Sequence, residues 1–283
     1  MKVMVTGGTG FVGRHVVSAI VAAGANSVSV VARNPEKVQS MSWHGKVTVL
    51  QADLSQSFEA LFLPENKPDV LIHLAWSGVR NYRDFFHIDK NLPADLAFLQ
   101  GAVRAGVSRL IVAGTCLEYG MQNGPLTEEM ETRPSTPYGF AKDTLRKALQ
   151  LLQEEVPFNL QWMRMFYMYG EGQNANSLLA KLDSAIDEGL SVFNMSHGDQ
   201  LRDYLPIQRV AELFLRALRR PDIAGVINCC SGVPVSVLDL VQRRVLERDS
   251  CIALNRGYYP YPNYEPMAFW GVPKKIEAAL HLT

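Results

Sequence analysis

Lys2-Val-Met-Val-Thr-Gly-Gly-Thr-Gly-Phe-Val-Gly13 decides the fold. Val3 to Val5 is a short apolar run that reads as a buried strand. It breaks into glycines, and the apolar-periodic stretch Phe11 to Ala23 follows as a helix. Strand, glycine turn and helix together make a phosphate-binding device. Gly7 permits the tight turn, Gly10 lets a diphosphate approach the backbone, and Gly13 lets the helix pack close to the strand. The first N–H groups of that helix lack partners within it and sit at its positive dipole end, so they favour an anion. Taken alone, the glycines also read as an ordinary tight strand-to-helix turn.

Beyond this stretch, strands and helices alternate. Further strands are expected at Val28–Ala32, Val47–Gln51, Val70–Leu74, Arg109–Ala113, Asn159–Met165 and Val226–Cys229. Helices are expected near Phe58–Leu63 and at Leu92–Ala105, Gly139–Glu155, Ser177–Glu188 and Ile207–Arg219. Buried, non-alternating strands separated by helices predict an α/β fold with a doubly wound parallel sheet covered on both faces. Ligands of such sheets bind at the carboxyl ends of the strands. The punctuation changes after residue 168, where Gly170–Asp203 is rich in Gly, Asn and Ser, and Arg256–Pro273 is rich in Tyr and Pro. The expected organisation is a dinucleotide-binding domain over 1–168 with a returning segment at about 204–230. A smaller substrate lobe would be built from about 169–203 and 231–283.

Composition narrows the function classes. The 283 residues are 47% hydrophobic and 20% charged, with 28 Lys plus Arg against 28 Asp plus Glu. Zero formal charge argues against binding nucleic acid or an anionic membrane through bulk charge. No apolar run approaches the roughly 18 residues that span a bilayer. The chain opens on a core strand, so no signal peptide is expected. Cys116, Cys229, Cys230 and Cys251 have no metal-ligand spacing; reduced thiols, a cytoplasmic location and no bound metal are the expectations.

Three segments indicate the ligand and the chemistry. Val28–Ala32 exits into Arg33-Asn34-Pro35 without a carboxylate. An acid there accepts bonds from the adenosine ribose of NAD, whereas a guanidinium suits a ribose 2′-phosphate. NADP(H) is therefore favoured, with NAD(H) possible. Asp53-Leu54 follows the third strand, where an acid can accept a bond from an adenine amino group or cap a short helix. Tyr138-Gly-Phe-Ala-Lys142 places a phenol and an ammonium on one helix face. A neighbouring cation lowers a phenol's pKa, which suits it to proton transfer with a carbonyl or alcohol oxygen. Thr115, at the end of the strand upstream, can bond the same oxygen.

These residues together resemble the extended short-chain dehydrogenase/reductase superfamily, in its sugar-nucleotide epimerase, dehydratase and reductase group. The resemblance runs through Thr6-Gly-Gly-Thr-Gly-Phe-Val-Gly13, Asp53-Leu54, His73-Leu-Ala75, Asn91 and Gly114-Thr-Cys-Leu-Glu-Tyr-Gly120. It continues through Tyr138 to Lys142, Arg164 to Gln173 and Arg202-Asp-Tyr-Leu205. It implies a Rossmann-type sheet with a smaller C-terminal substrate-binding lobe. It implies Thr115, Tyr138 and Lys142 as the catalytic triad, and Gly7, Gly10, Phe11, Val12, Gly13, Asp53, Leu54 and Ala75 as dinucleotide contacts. Asn174, Ser177, Arg202 and Tyr204 fall where the family grips a nucleoside diphosphate, and Arg202 is expected on the phosphates.

Two departures refine the expectation. Arg33 stands where NAD-retaining members carry an acid. Cys116 and Leu117 leave no acid after Thr115, where dehydratases carry one, and this counts against 4,6-dehydration. The segment around Thr115 is similar to reductases of nucleotide-linked 4-keto-6-deoxy sugars. The expected reaction is NADPH-dependent reduction of such a 4-keto group, with an NAD-dependent 4-epimerase as the alternative. A non-catalytic dinucleotide sensor and a reductase of some other carbonyl are further readings. Glu118 reads as a polar wall of the substrate pocket or a second acid–base group, and His73 as a core histidine. Arg256 and Glu265, flanking Tyr258-Tyr-Pro-Tyr-Pro-Asn-Tyr264, stand within reach of a substrate. Apolar residues on the second and third long helices, among them Leu96, Leu99, Leu145, Leu149 and Leu152, suit a homodimer interface or packing on the sheet.

Overall fold

The computed structural model describes residues 1–25, 27–79 and 81–276. Its elements run β1 (Val3–Thr6), α1 (Phe11–Ala22), β2 (Val28–Ala32), β3 (Thr48–Gln51), β4 (Val70–His73), α2 (Leu92–Arg104) and β5 (Arg109–Thr115). Next come β6 (Gly124–Leu126), α3 (Pro137–Glu155), β7 (Asn159–Met165), β8 (Tyr167–Tyr169), α4 (Leu178–Asp187), β9 (Val192–Asn194) and β10 (Leu201–Pro206). The chain continues through α5 (Ile207–Arg219), β11 (Gly225–Cys229), β12 (Pro234–Ser236), α6 (Val237–Glu247), β13 (Ala253–Asn255) and β14 (Phe269–Gly271).

Seven strands form one sheet in the order β11-β7-β5-β4-β1-β2-β3, with every pair parallel. This is the doubly wound Rossmann order with a seventh strand added. Successive side chains of a strand face opposite sides, and β1 shows the consequence. Val3 and Val5 pack with Val16, Val17 and Ile20 of α1 and with Leu213 and Phe214 of α5. Met4 packs on the other face with Phe98 and Leu99 of α2 and with Leu145 and Leu149 of α3. Both faces are therefore covered, and the chain reverses direction across the sheet between β1 and β4. Among the described residues no helix is long and apolar enough to cross a membrane.

The lobe has its own apolar cluster, joining Leu179 and Leu182 of α4, Phe193 of β9, and Leu240 and Val241 of α6. A small sheet in the order β12-β10-β8 carries Arg202, Asp203 and Tyr204. Buried Asp203 accepts backbone N–H bonds from Ser231, Gly232 and Gly271 at 2.7, 2.9 and 3.3 Å, tying the returning segments together. Strands β2 and β7 and helix α5 have the bounds expected from the sequence. Helix α3 starts two residues before its expected start. Thr136 caps it by accepting from the Gly139 N–H at 3.1 Å, and Pro137 fills the first position, where a missing N–H is harmless. The helix expected near 58–63 is a single 3₁₀ turn, Glu59–Phe62. Helix α6 and the short strands of the lobe have no counterpart in the sequence-based expectations.

Candidate active site

A cavity of about 280 Å³ opens at the carboxyl ends of β1 to β4, where the strand order reverses. Gly7, Gly10, Arg33, Asp53, Leu54 and Ala75 all line it. The glycine turn fits a close-packed cradle. A Cβ on Gly7, whose φ is +70°, would lie 2.6 Å from the Ala75 nitrogen, and one on Gly13 would lie 2.1 Å from the Gly7 oxygen. Gly10 forms the start of α1 with no side-chain cap and no acid in the first turn. The helix therefore presents its uncapped N–H groups to this cavity. Phe11 and Val12 pack their side chains against the core, leaving their backbone as the part that can meet a ligand. Gly13 lies beneath the turn and serves its packing.

Arg33 is exposed at the rim. Asp53 Oδ1 accepts from the Ser55 hydroxyl at 2.7 Å and the Ser55 N–H at 3.0 Å, and these bonds hold its carboxyl below the usual range. The residues present fit a dinucleotide: a diphosphate at the uncapped helix, a ribose near Arg33 and an adenine near Asp53.

Beyond β4 the cavity reaches Trp76, and Tyr138 and Lys142, two of the residues expected in proton transfer, stand against its ring. Thr115 ends β5, and its hydroxyl accepts from the Leu117 N–H at 3.3 Å. The Thr115 side chain works against the raised pKa of the Tyr138 phenol, a smaller effect than burial. The Tyr138 ring stacks on Tyr82 at 5.4 Å and meets Trp76 edge-on at 5.9 Å. Its backbone N–H donates to the Tyr82 carbonyl at 3.1 Å. One turn along α3, the Lys142 ammonium sits 3.9 Å above the Trp76 ring. The expectation of a phenol lowered by Lys142 does not describe this arrangement. Burial pushes Tyr138 well above the ordinary phenol range, with Tyr82 and Glu118 adding to the effect. Burial also pushes Lys142 down to about 8, against the pull of Asp95 and Glu118. Trp76, between the two groups, was not singled out from the sequence; its signal is an aromatic residue just past the carboxyl end of a parallel strand.

Glu118 is neither a pocket wall nor a free acid in this structure. It is fully buried, and its oxygens accept from the Thr115 N–H at 2.8 Å, Trp162 Nε1 at 2.9 Å and Arg164 Nε at 2.8 Å. It braces the turn that carries Thr115. His73 is a core histidine, bonded through Nδ1 to the Thr6 hydroxyl at 2.9 Å, with Nε2 3.2 Å from Asp95.

The residues expected to grip the diphosphate are spread through the lobe. Asn174 accepts the Asn176 N–H and precedes α4. Ser177 occupies the N-cap of α4 with its hydroxyl buried and unbonded. Tyr204 packs against Tyr167 at 5.5 Å. Arg202 departs most from expectation: it is 2% exposed and paired with Glu265 at 3.1 Å, so its charge is already neutralised within the protein. A second cavity, of about 610 Å³, lies between α4, β9 and the 259–262 segment and is lined by Asn176, Lys181, Phe193 and Tyr259.

The profile described as "NAD dependent epimerase/dehydratase family" matches residues 3–230. The chain is 30% identical to the dTDP-6-deoxy-L-talose 4-dehydrogenase (NAD(+)) of Aggregatibacter actinomycetemcomitans, over 96% of this chain and 99% of that protein. Two solved structures share its fold. A UDP-N-acetylglucosamine 4-epimerase from Methanobrevibacter ruminantium M1, in complex with UDP-N-acetylmuramic acid, superposes with a TM-score of 0.85 at 22% identity, over 98% of this chain and 91% of the other. A UDP-glucuronic acid 4-epimerase from Bacillus cereus, in complex with UDP-glucuronic acid and NAD, has a TM-score of 0.85 at 22% identity, over 100% of this chain and 94% of the other.

Proposed function

The chain belongs to the NAD dependent epimerase/dehydratase family, and from that premise we propose that it is an oxidoreductase at carbon 4 of a nucleotide-linked 6-deoxyhexose, working as a 4-keto reductase. The observation that carries this reading is the meeting of Tyr138 and Lys142 at the Trp76 ring, which lines the same cavity as the glycine turn. The relative at 30% identity bears the name of a 4-dehydrogenase, which is the same chemistry run in the oxidising direction. A bound nicotinamide coenzyme supplies or accepts the hydride.

This chain's own residues handle the oxygen and its proton. Thr115 and Tyr138 bond the carbonyl oxygen and orient it. Burial keeps Tyr138 protonated near neutrality, so it gives its proton to that oxygen as the alcohol forms. Lys142 places a cation next to the Trp76 ring, within reach of ribose hydroxyls. The lobe cavity has room for a nucleoside, with Lys181 and Tyr259 at its wall. The missing acid after Thr115 counts against dehydration, and Arg33 at the rim favours NADP(H) over a retained NAD. The exposed Phe140 and Leu151 lie on one face of α3 and support a homodimer through that helix and α2.

The test is hydride transfer between NAD(P)H and 4-keto-6-deoxy sugars linked to dTDP, UDP, GDP or CDP. Tyr138→Phe is expected to lower turnover by at least ~10²-fold, the lower end for a proton-transfer group. Near-normal turnover in that variant, or conversion of a 4-hydroxy sugar to its epimer without net hydride exchange, would refute the reductase reading.

A further inference from the structure

Asp95 is a buried charge in the wall of the glycine-turn cavity that the protein leaves without a donor. It stands in the first turn of α2, is 7% exposed, and lines the same cavity as Gly7, Gly10 and Trp76. Its carboxylate accepts no hydrogen bond from the described residues, and its oxygens are not sealed from solvent. His73 Nε2 lies 3.2 Å from Oδ1 but out of line for a hydrogen bond, and His73 is itself held in the core by its bond to Thr6. The positive end of α2 eases the charge without supplying a donor. A buried carboxylate is costly unless donors complete it, so this one points to donors on a ligand.

Strand order says which part of a dinucleotide Asp95 meets. Arg33 and Asp53 follow β2 and β3, on one side of β1. Helix α2 follows β4, on the other side, and packs with α3, which carries Tyr138 and Lys142. Trp76, under the Lys142 ammonium, lines this same half of the cavity. A dinucleotide with its diphosphate at the glycine turn and its adenosine near Arg33 and Asp53 therefore runs its second ribose towards Asp95. A carboxylate repels phosphate and accepts strongly from neutral hydroxyl groups. We propose that Asp95 accepts a hydrogen bond from a hydroxyl of the nicotinamide-side ribose, with Lys142 approaching the same ribose as a donor. The assignment rests on the dinucleotide reading of the cavity given above.

Calorimetric titration of wild type, Asp95→Ala and Asp95→Asn tests it, with NAD+ and NADP+ set against fragments of the same molecules. ADP-ribose keeps the second ribose and ADP ends at the diphosphate; their 2′-phosphorylated forms serve for NADP+. Asp95→Ala is expected to weaken the coenzyme and its ribose-bearing fragment about tenfold, the loss of one charge-assisted hydrogen bond. The fragment ending at the diphosphate should stay within about twofold. Asp95→Asn keeps the shape and a neutral acceptor, so it should show the same pattern more weakly, and it carries the comparison if the alanine variant does not fold. Equal weakening of every ligand would reduce Asp95 to a brace for the cavity and overturn the proposal. Tightening of the diphosphate fragments along with the rest would overturn it too, since the carboxylate would then act only by repelling phosphate. Unchanged binding in both variants would show that Asp95 meets no part of the coenzyme. In these three cases the dinucleotide reading stands; if wild type binds neither coenzyme, that reading fails and this assignment falls with it.

Discussion

Lys142 shows how one side chain sets activity against stability. The unfolded chain keeps its ammonium protonated up to the ordinary 10.5, whereas the folded protein releases that proton from about 8. Between those values the unfolded state binds more protons, so stability rises with pH across that window. Below it, the fold bears the full penalty of a buried cation, which the Trp76 ring only partly offsets at roughly 2 kcal/mol or less. Lys142→Met is therefore expected to melt higher than wild type at pH 7, with the difference fading towards pH 10. Its turnover should nonetheless fall by at least ~10²-fold. Melting curves and rates at both pH values check this. Arg33 carries a different consequence. Arg33→Ala should lower kcat/KM for NADP(H) about tenfold and leave NAD(H) unchanged, as expected for the loss of one charge-assisted contact to phosphate. Equal effects on both coenzymes would remove Arg33 from the ribose site.

At the level of elements, the turn from β5 towards α3 depends on a buried charge cluster. Glu118 holds the Thr115 N–H, Trp162 and Arg164, and Arg146 lies 3.9 Å away, itself paired with Asp143. Removing one partner of such a cluster leaves the others buried without their counter-charge. Glu118→Ala is expected to destabilise the fold by about 3–5 kcal/mol, measured by denaturant unfolding. A loss below about 1 kcal/mol would mean the cluster relaxes. Strands of the parallel sheet were legible in the sequence where they are short apolar runs, as at Val28–Ala32, and the helix Ile207–Arg219 was legible from its apolar periodicity. The glycine turn was legible for the same local reason. The state of Arg202 was not, because Glu265 lies 63 positions away and no local pattern signals that pairing. Glu118 was misread because its partners Trp162 and Arg164 come from a neighbouring strand. Helix α6 was missed beside the Pro and Gly punctuation of residues 232–234, although Ser236 caps it by accepting the Asp239 N–H at 2.9 Å. The phenol's raised pKa was unreadable from spacing, since it follows from burial beneath Tyr82 and Trp76.

At the level of the molecule, the helices offered as a dimer interface divide their apolar residues between two tasks. Leu99, Leu145, Leu149 and Leu152 are buried in the core against the sheet and are not available to a partner. Phe140 and Leu151 remain 48% and 67% exposed, and eleven positions on a helix return to the same face. If α3 pairs two copies, Leu151→Arg should halve the mass seen by light scattering without shifting the melting temperature of the monomer. An unchanged dimer would place the interface elsewhere. The pairing of β14 with β6 has a consequence for biosynthesis. Phe269 aligns with Gly124, and its ring completes the apolar cluster of Tyr119, Leu126 and Phe166. Ribosomes add about 5–20 residues each second, so once Phe166 is made the nascent chain carries that cluster unfinished for roughly 5 to 20 seconds. During this interval the glycine turn has already emerged, while the aromatic patch lacks its cover and is exposed to chaperones.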